Sequence, residues 1–133
     1  MTNSYQLLPE WSQQEAVLLA WPDKHTDWQP WLEDVQNVYL DIIKSLNNAK
    51  TKVLLLVRSD EIAHCLSKLP KSSHVLLLSA DYNDTWIRDY GFLSCGNVSG
   101  VRPIEFVFNG WGQKFTAAKD NRINQDVLSQ LCQ

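Results

Sequence analysis

The chain has 133 residues, a formal net charge of -3 at pH 7, 44% hydrophobic and 20% charged residues. That is the size of one domain, taken as residues 1–133, and large enough to bury a core without disulfides or metal; the composition argues against disorder. The negative balance and the scattering of the twelve basic residues argue against nucleic acid as a partner, because phosphate binding is driven by clustered Lys and Arg.

In chain order, residues 1 to 14 read as an irregular lead-in, with Pro9 and Trp11 tacking it onto the body. The stretch MTNSYQLLPEWSQQE has neither the basic start nor the apolar run of a secretory signal. Glu15 to Trp21 is a short apolar run stopped by Pro22, which suits a buried strand. A polar, Trp-bearing loop follows to Gln29. Pro30 sits where a first helical turn tolerates it. Trp31, Val35, Val38, Ile42 and Leu46 then recur at spacings that predict one stripe of an amphipathic helix, ended by Asn47 and Asn48.

Thr51 to Arg58 predicts a second buried strand. Ser59 is placed as an N-cap, with Asp60 and Glu61 in the first turn against the helix dipole. Ile62, Leu66 and Leu69 predict the inward stripe of a short helix closed by Pro70. His74 to Ser79 predicts a third strand. Gly91 to Cys95 leads into a Gly-flanked turn (Gly96 to Gly100) and a strand near Ile104 to Phe108. Ala117 to Gln133 reads as a loop into a final helix with Ile123, Val127 and Leu131 inward. The run of helix to the chain end reads as an interrupted architecture. The element order predicts a mixed α/β class.

Apolar runs reach only about five residues (Val53 to Val57), far short of a membrane span. Cys65, Cys95 and Cys132 are odd in number and form no C-x-x-C, which fits a reducing, cytoplasmic setting and no zinc site. Lys50, Lys52 and Arg58 read as a solvated strand edge.

The chemistry is concentrated in DYNDTWIRDYG, Asp81 to Gly91. Asp84, Trp86, Arg88 and Asp89 fall within six residues behind an apolar run. Two carboxylates and an indole suit a planar cation, because a guanidinium offers a fixed fork of donors and stacks on aromatic faces. His64 beside Cys65 tempts a Cys–His reading, yet adjacent helical residues do not face each other. Cys95 shows no base or helix N-terminus that would activate it. His25 reads as solvated.

NDTWIRDYG at Asn83 to Gly91, followed by FNGWGQK at Phe108 to Lys114, resembles the agmatine deiminase and bacterial peptidyl-arginine deiminase family. PEW at Pro9 to Trp11 and EAVLLAWP at Glu15 to Pro22 are similar to that family's N-terminus. The resemblance implies a partial pentein-like α/β propeller of about two ββαβ-type units, cut from a fivefold fan. It implies hydrolysis of a guanidino group to a ureido group plus ammonia, as in putrescine biosynthesis from agmatine. A cysteine thiolate attacks, acidic residues hold the guanidinium, and a histidine shuttles protons; no metal or organic cofactor is required.

Carried over by position, Asp89 matches the guanidinium-binding aspartate of W-x-R-D and Trp86 the tryptophan lining its pocket, with Asp84 beside them. Arg88 is expected to lock the loop on a buried carboxylate or carbonyl. Asn109, Trp111 and Gly112 resemble the structural loop packed beside it. Phe92 stands where the family has proline, and Gln113 where it has a second glycine. The catalytic Cys and His have no counterpart, since neither Cys132 nor His25, His64 or His74 stands in the family context. The expectation is a polypeptide silent by itself that holds a small guanidine or amine such as agmatine or an arginine side chain, and that pairs with itself or a complementing chain. A non-catalytic amine-binding or oligomeric module is the alternative.

Overall fold

Three leucine- and valine-rich segments set the frame, because near-continuous apolar runs are what a parallel sheet covered on both faces requires. The computed structural model describes residues 4–71 and 74–132. The first three residues of the expected lead-in and Gln133 lie outside them. Strands β2 (Ala16–Ala20), β3 (Lys52–Val57) and β4 (Val75–Ser79) pair in parallel in that order. The register sets Ala16 against Lys52 and Val53 against Val75. β1 (Gln6–Leu7), β5 (Leu93–Asn97) and β6 (Gly100–Ile104) form a second, antiparallel sheet in the order β1-β5-β6.

Side chains alternate across the parallel sheet. Val53, Leu55 and Val57 pack on one face with Trp21, Ile43 and Cys65, beneath helices α1 (Leu32–Asn48) and α2 (Ile62–Lys68). Ala20, Leu56, Leu78 and Ala80 pack on the other with Tyr82, Tyr90, Ile123 and Val127. The last two belong to helix α5 (Ile123–Leu131). At 25 cal/mol per Å² of apolar surface, each fully buried Leu or Ile contributes about 2 kcal/mol. The far end of this second face is less covered, since Leu76 is 49% exposed.

Several sequence expectations need correction. The buried stripe of α1 runs through Gln36 and Ile43, with Tyr39, Leu40 and Leu46 partly buried; Trp31, Val38 and Ile42 face outward. Gln36 is a polar member of that stripe because its Nε2 donates to the Pro22 carbonyl at 2.9 Å, so a periodicity counted on apolar residues alone rotates the helix. In α2 the inward position is Cys65, not Leu66, which is exposed. Ser59 lies within a 3-10 turn, Ser59–Glu61, and caps nothing with its side chain. The strand expected near Ile104 to Phe108 ends at Ile104, because the turn after Asn97 pairs Asn97 with Gly100 and fixes the register. Trp11 is 88% exposed and tacks nothing down; instead β1 pairs with β5, Leu7 opposite Cys95. Two residues of strand carry too little pattern to be read from sequence.

Candidate functional site

The carboxyl ends of β2, β3 and β4 deliver three loops to one edge of the parallel sheet: 21–28, 58–61 and 80–91. A buried ion pair ties their roots together. Asp23, fully buried, lies 3.3 Å from Arg58 Nη1. Arg58 also donates to the Tyr82 carbonyl, sits 4.3 Å above the Tyr82 ring, and reaches exposed Asp81 at 3.5 Å. The Tyr82 hydroxyl donates to the Trp21 carbonyl at 2.6 Å. Arg58 is thus a buried hub rather than part of a solvated strand edge. Nothing local in the sequence could reveal a partner 35 positions away.

The acidic loop is pinned from the other side by α5 and the 3-10 turn before it. Asp120, 1% exposed, accepts the backbone N–H of Asn83 at 2.6 Å and of Asp84 at 3.2 Å. Burial holds its carboxyl above the usual range, and those two amides pull it back. Asn124 donates to the Tyr90 carbonyl at 2.9 Å. The Tyr90 hydroxyl donates to the Asp84 carbonyl at 2.6 Å.

Within this frame, residues Ile87–Tyr90 make one short helical turn, α3, capped by Gly91. A Cβ on Gly91 would meet the Ile87 carbonyl oxygen at 2.7 Å, so the close approach requires glycine there. The turn carries Asp89, half-buried, near Asp84 in space. Burial first, then the negative charges of Asp27 and Asp89, raise the Asp84 carboxyl, against the pull of the Thr85 amide. Asp84 Oδ1 accepts that amide at 2.6 Å. Trp86 is 57% exposed, its ring centroid 6.2 Å from that of Trp28 with planes inclined 45°. The Trp28 indole N–H donates to Thr85 Oγ1 at 2.9 Å. Three carboxylates, Asp27, Asp84 and Asp89, thus share a region with two tilted indoles, an arrangement that favours a flat cation. Sequence reasoning missed Trp28, Asp27 and Thr85; the tryptophan content of loop 22–29 was the signal available.

Arg88 does not lock the loop on a buried group. It is exposed and pairs with exposed Glu10 at 2.5 Å, because the helical turn projects it away from the sheet. The hydrogen bond and charge of Glu10 raise its pKa. In the Phe108-to-Phe115 loop, Asn109 Oδ1 accepts the Gly112 N–H at 2.9 Å, closing α4 (Gly110–Gln113), a left-handed turn rather than a right-handed helix. Trp111 and Gln113 are left-handed at φ 58° and 67°. Trp111 is exposed and meets Phe108 edge-on at 6.3 Å. The Asn121 side chain clamps the Phe108 backbone, its Oδ1 accepting the N–H at 2.8 Å and its Nδ2 donating to the carbonyl at 2.9 Å.

The cysteines sit outside the acidic loop, on α2, on β5 and just after α5. Cys65 is buried against the helical face of the sheet, where burial and the Glu61 charge push its thiol up to about 12. Cys95 is buried in β5, and Cys132 is exposed. His25 lies 3.3 Å from Asp60. A groove of about 580 Å³ opens beside the acidic loop, lined by His25, Arg58, Asp60, Asp81, Tyr82 and Lys119 among others; neither Trp86 nor Asp89 lines it. The carboxylate–indole cluster is an open face, not an enclosed hollow. Among the described residues no cluster of His, Cys, Asp and Glu could hold a metal, and no helix is long and apolar enough to cross a membrane.

A sequence model described as Porphyromonas-type peptidyl-arginine deiminase matches residues 6–133. A protein of Shewanella baltica (strain OS185), provisionally named agmatine deiminase, is 29% identical over 96% of this chain and 35% of its own length. A substrate-bound cysteine-to-serine variant of C. jejuni agmatine deiminase superposes at a TM-score of 0.82 with 29% identity, covering 98% of this chain and 38% of that one. An Enterococcus faecalis agmatine deiminase, 22% identical, shares the fold at a TM-score of 0.83, over 96% of this chain and 36% of that one. The chain therefore spans about a third of the length of the relatives it matches.

Proposed function

Because the chain belongs to the Porphyromonas-type peptidyl-arginine deiminase family, we propose that its acidic loop is the guanidinium-holding part of a deiminase-type site. One observation carries the reading: Asp89, on the turn Ile87–Tyr90, lies near enough to Asp84 for its negative charge to help raise that carboxyl, beside the 57% exposed Trp86 indole. A guanidinium is a resonance-stabilised cation and a poor electrophile. Carboxylates that fix and polarise it let a thiolate attack its carbon; ammonia leaves, and water releases the ureido product. Asp89 and Asp84 take the binding role and Trp86 the stacking role. Agmatine and an arginine side chain are the substrate class, in a cytoplasmic setting.

The attacking thiolate and the proton-shuttling histidine lie, in this reading, outside residues 1–133. Cys65 is buried with a raised pKa, and Cys95 is buried in a strand. The two sheets are then part of a larger pentein-type fan, and the chain by itself is catalytically silent. Titration with agmatine, arginine and putrescine, followed by tryptophan fluorescence, tests the binding role. Agmatine should quench the signal in wild type and not in Asp89→Asn; no response at about millimolar ligand sinks the assignment. An ammonia assay tests the silence: turnover that disappears on replacing Cys65 or Cys95 overturns it.

A second reading, a module that pairs with itself or a complementing chain, is favoured by the apolar groove of about 440 Å³ at Val53, Leu54, Val75 and Leu76. A monomer at high concentration in sedimentation would count against it.

A further inference from the structure

We propose that Trp28 is a second wall of the cation site and that Thr85 is the positioning residue that sets its plane. What the walls hold rests on the guanidinium reading above; the positioning itself does not.

The placement of Trp28 is not incidental packing. Its indole N–H, the only polar atom it has, is spent on Thr85 Oγ1 at 2.9 Å across 57 positions of sequence. Thr85 is 6% exposed. Its backbone is fixed by the Asp84 carboxylate at 2.6 Å, and β-branching stiffens its χ1. Tyr39, reaching out of α1, completes the hub. Burial raises the Tyr39 phenol, and the nearby Thr85 side chain opposes that rise. The loop after β2 and the acidic loop therefore meet at one hydroxyl, with α1 close by. The indole plane of Trp28 is set by a group that sits one residue from Trp86.

The consequence is a notch with a fixed opening. The two centroids lie 6.2 Å apart and the planes diverge by 45°. A cation gains from a ring when it lies within about 6 Å of the centroid. A cation on the side that both rings share can lie within about 6 Å of both centroids, which a single exposed indole does not offer. Asp27, carried on the same loop as Trp28, adds its negative charge to that of Asp89 at Asp84. Loop 22–28 thus supplies both an aromatic and an acidic element.

The test uses the full chain, ¹⁵N-labelled, with Thr85→Val, Thr85→Ser and Trp28→Phe. Trp28→Phe identifies the Trp28 indole N–H resonance by its disappearance. In wild type that N–H should be protected from exchange, and the tilted indole pair should give an exciton-type couplet in circular dichroism. Thr85→Val should lose both while melting cooperatively; Thr85→Ser, which keeps the hydroxyl, should retain both. An intact couplet and a protected N–H in Thr85→Val overturn the positioning role, and so does their loss in Thr85→Ser. If Thr85→Val fails to fold, the serine variant and Tyr39→Phe carry the same readouts. Agmatine affinity should fall roughly threefold to tenfold in Thr85→Val and Trp28→Phe, the loss expected from one hydrogen bond or one stacking partner. Unchanged affinity in Trp28→Phe, with wild type binding, removes the second wall. Absence of binding in wild type would remove the guanidinium reading alone, because the N–H and couplet arms still decide the positioning.

Discussion

Removing Asp23 should cost more than removing any other single carboxylate on this edge. It is fully buried, 3.3 Å from an arginine that is itself 8% exposed. Breaking a buried pair by deleting one member leaves an uncompensated charge and costs about 3–5 kcal/mol. Arg58 keeps exposed Asp81 at 3.5 Å and the Tyr82 ring, so Asp23→Ala falls at the lower end, about 3 kcal/mol. With about 2.1 cal/mol/K of unfolding entropy per residue, a 133-residue chain loses roughly 11 °C of Tm for that amount. Arg58→Met should cost at least as much, because Asp23 is then left buried without its cation. The double variant Asp23→Leu/Arg58→Met should recover a large part of the loss, since an apolar pair of similar volume removes both desolvation costs. Calorimetry of the four proteins at one pH gives the cycle. A shift below about 4 °C for Asp23→Ala, or strict additivity in the double, would refute the reasoning.

The other expectations are smaller in scope. Asp84 has a folded pKa raised above the ordinary carboxylate value of 3.8, so the folded state holds more protons in the window above it. Stability should therefore fall as pH rises through that window, and Asp84→Asn should flatten the slope; an unchanged slope in a urea series across pH 4 to 7 counts against the assignment. Thiol labelling of the native chain at about pH 8 should modify exposed Cys132 quickly and Cys65 only on unfolding, since the Cys65 thiol is pushed up to about 12. Fast native labelling of Cys132→Ser would contradict the burial of the other two. Gly110→Ala should destabilise by about 2 kcal/mol or more, because its φ is +63° and a Cβ would meet the Phe115 carbonyl oxygen at 2.0 Å. A neutral melt would overturn that.

The parallel sheet was legible because its strands bury both faces and so read as unbroken apolar runs at Val53 to Val57 and Val75 to Leu78. The acidic loop was legible because its chemistry is local, six residues with two carboxylates and an indole. What escaped was non-local or polar inside. Gln36 occupies a core position because a carbonyl from Pro22 waits for it. Arg58 looks solvated until Asp23 is placed against it. Trp28 and Thr85 meet only after β2, α1, β3 and β4 are stacked, and Arg88 was misjudged because the turn at Ile87–Tyr90 sends it outward.

Asp120 holds the amides of Asn83 and Asp84 from 37 and 36 positions further on. During synthesis the loop leaves the ribosome well ahead of the carboxylate that secures it. For that interval the nascent chain carries two amides without their carboxylate, open to chaperones and proteases until the turn bearing Asp120 has emerged and docked.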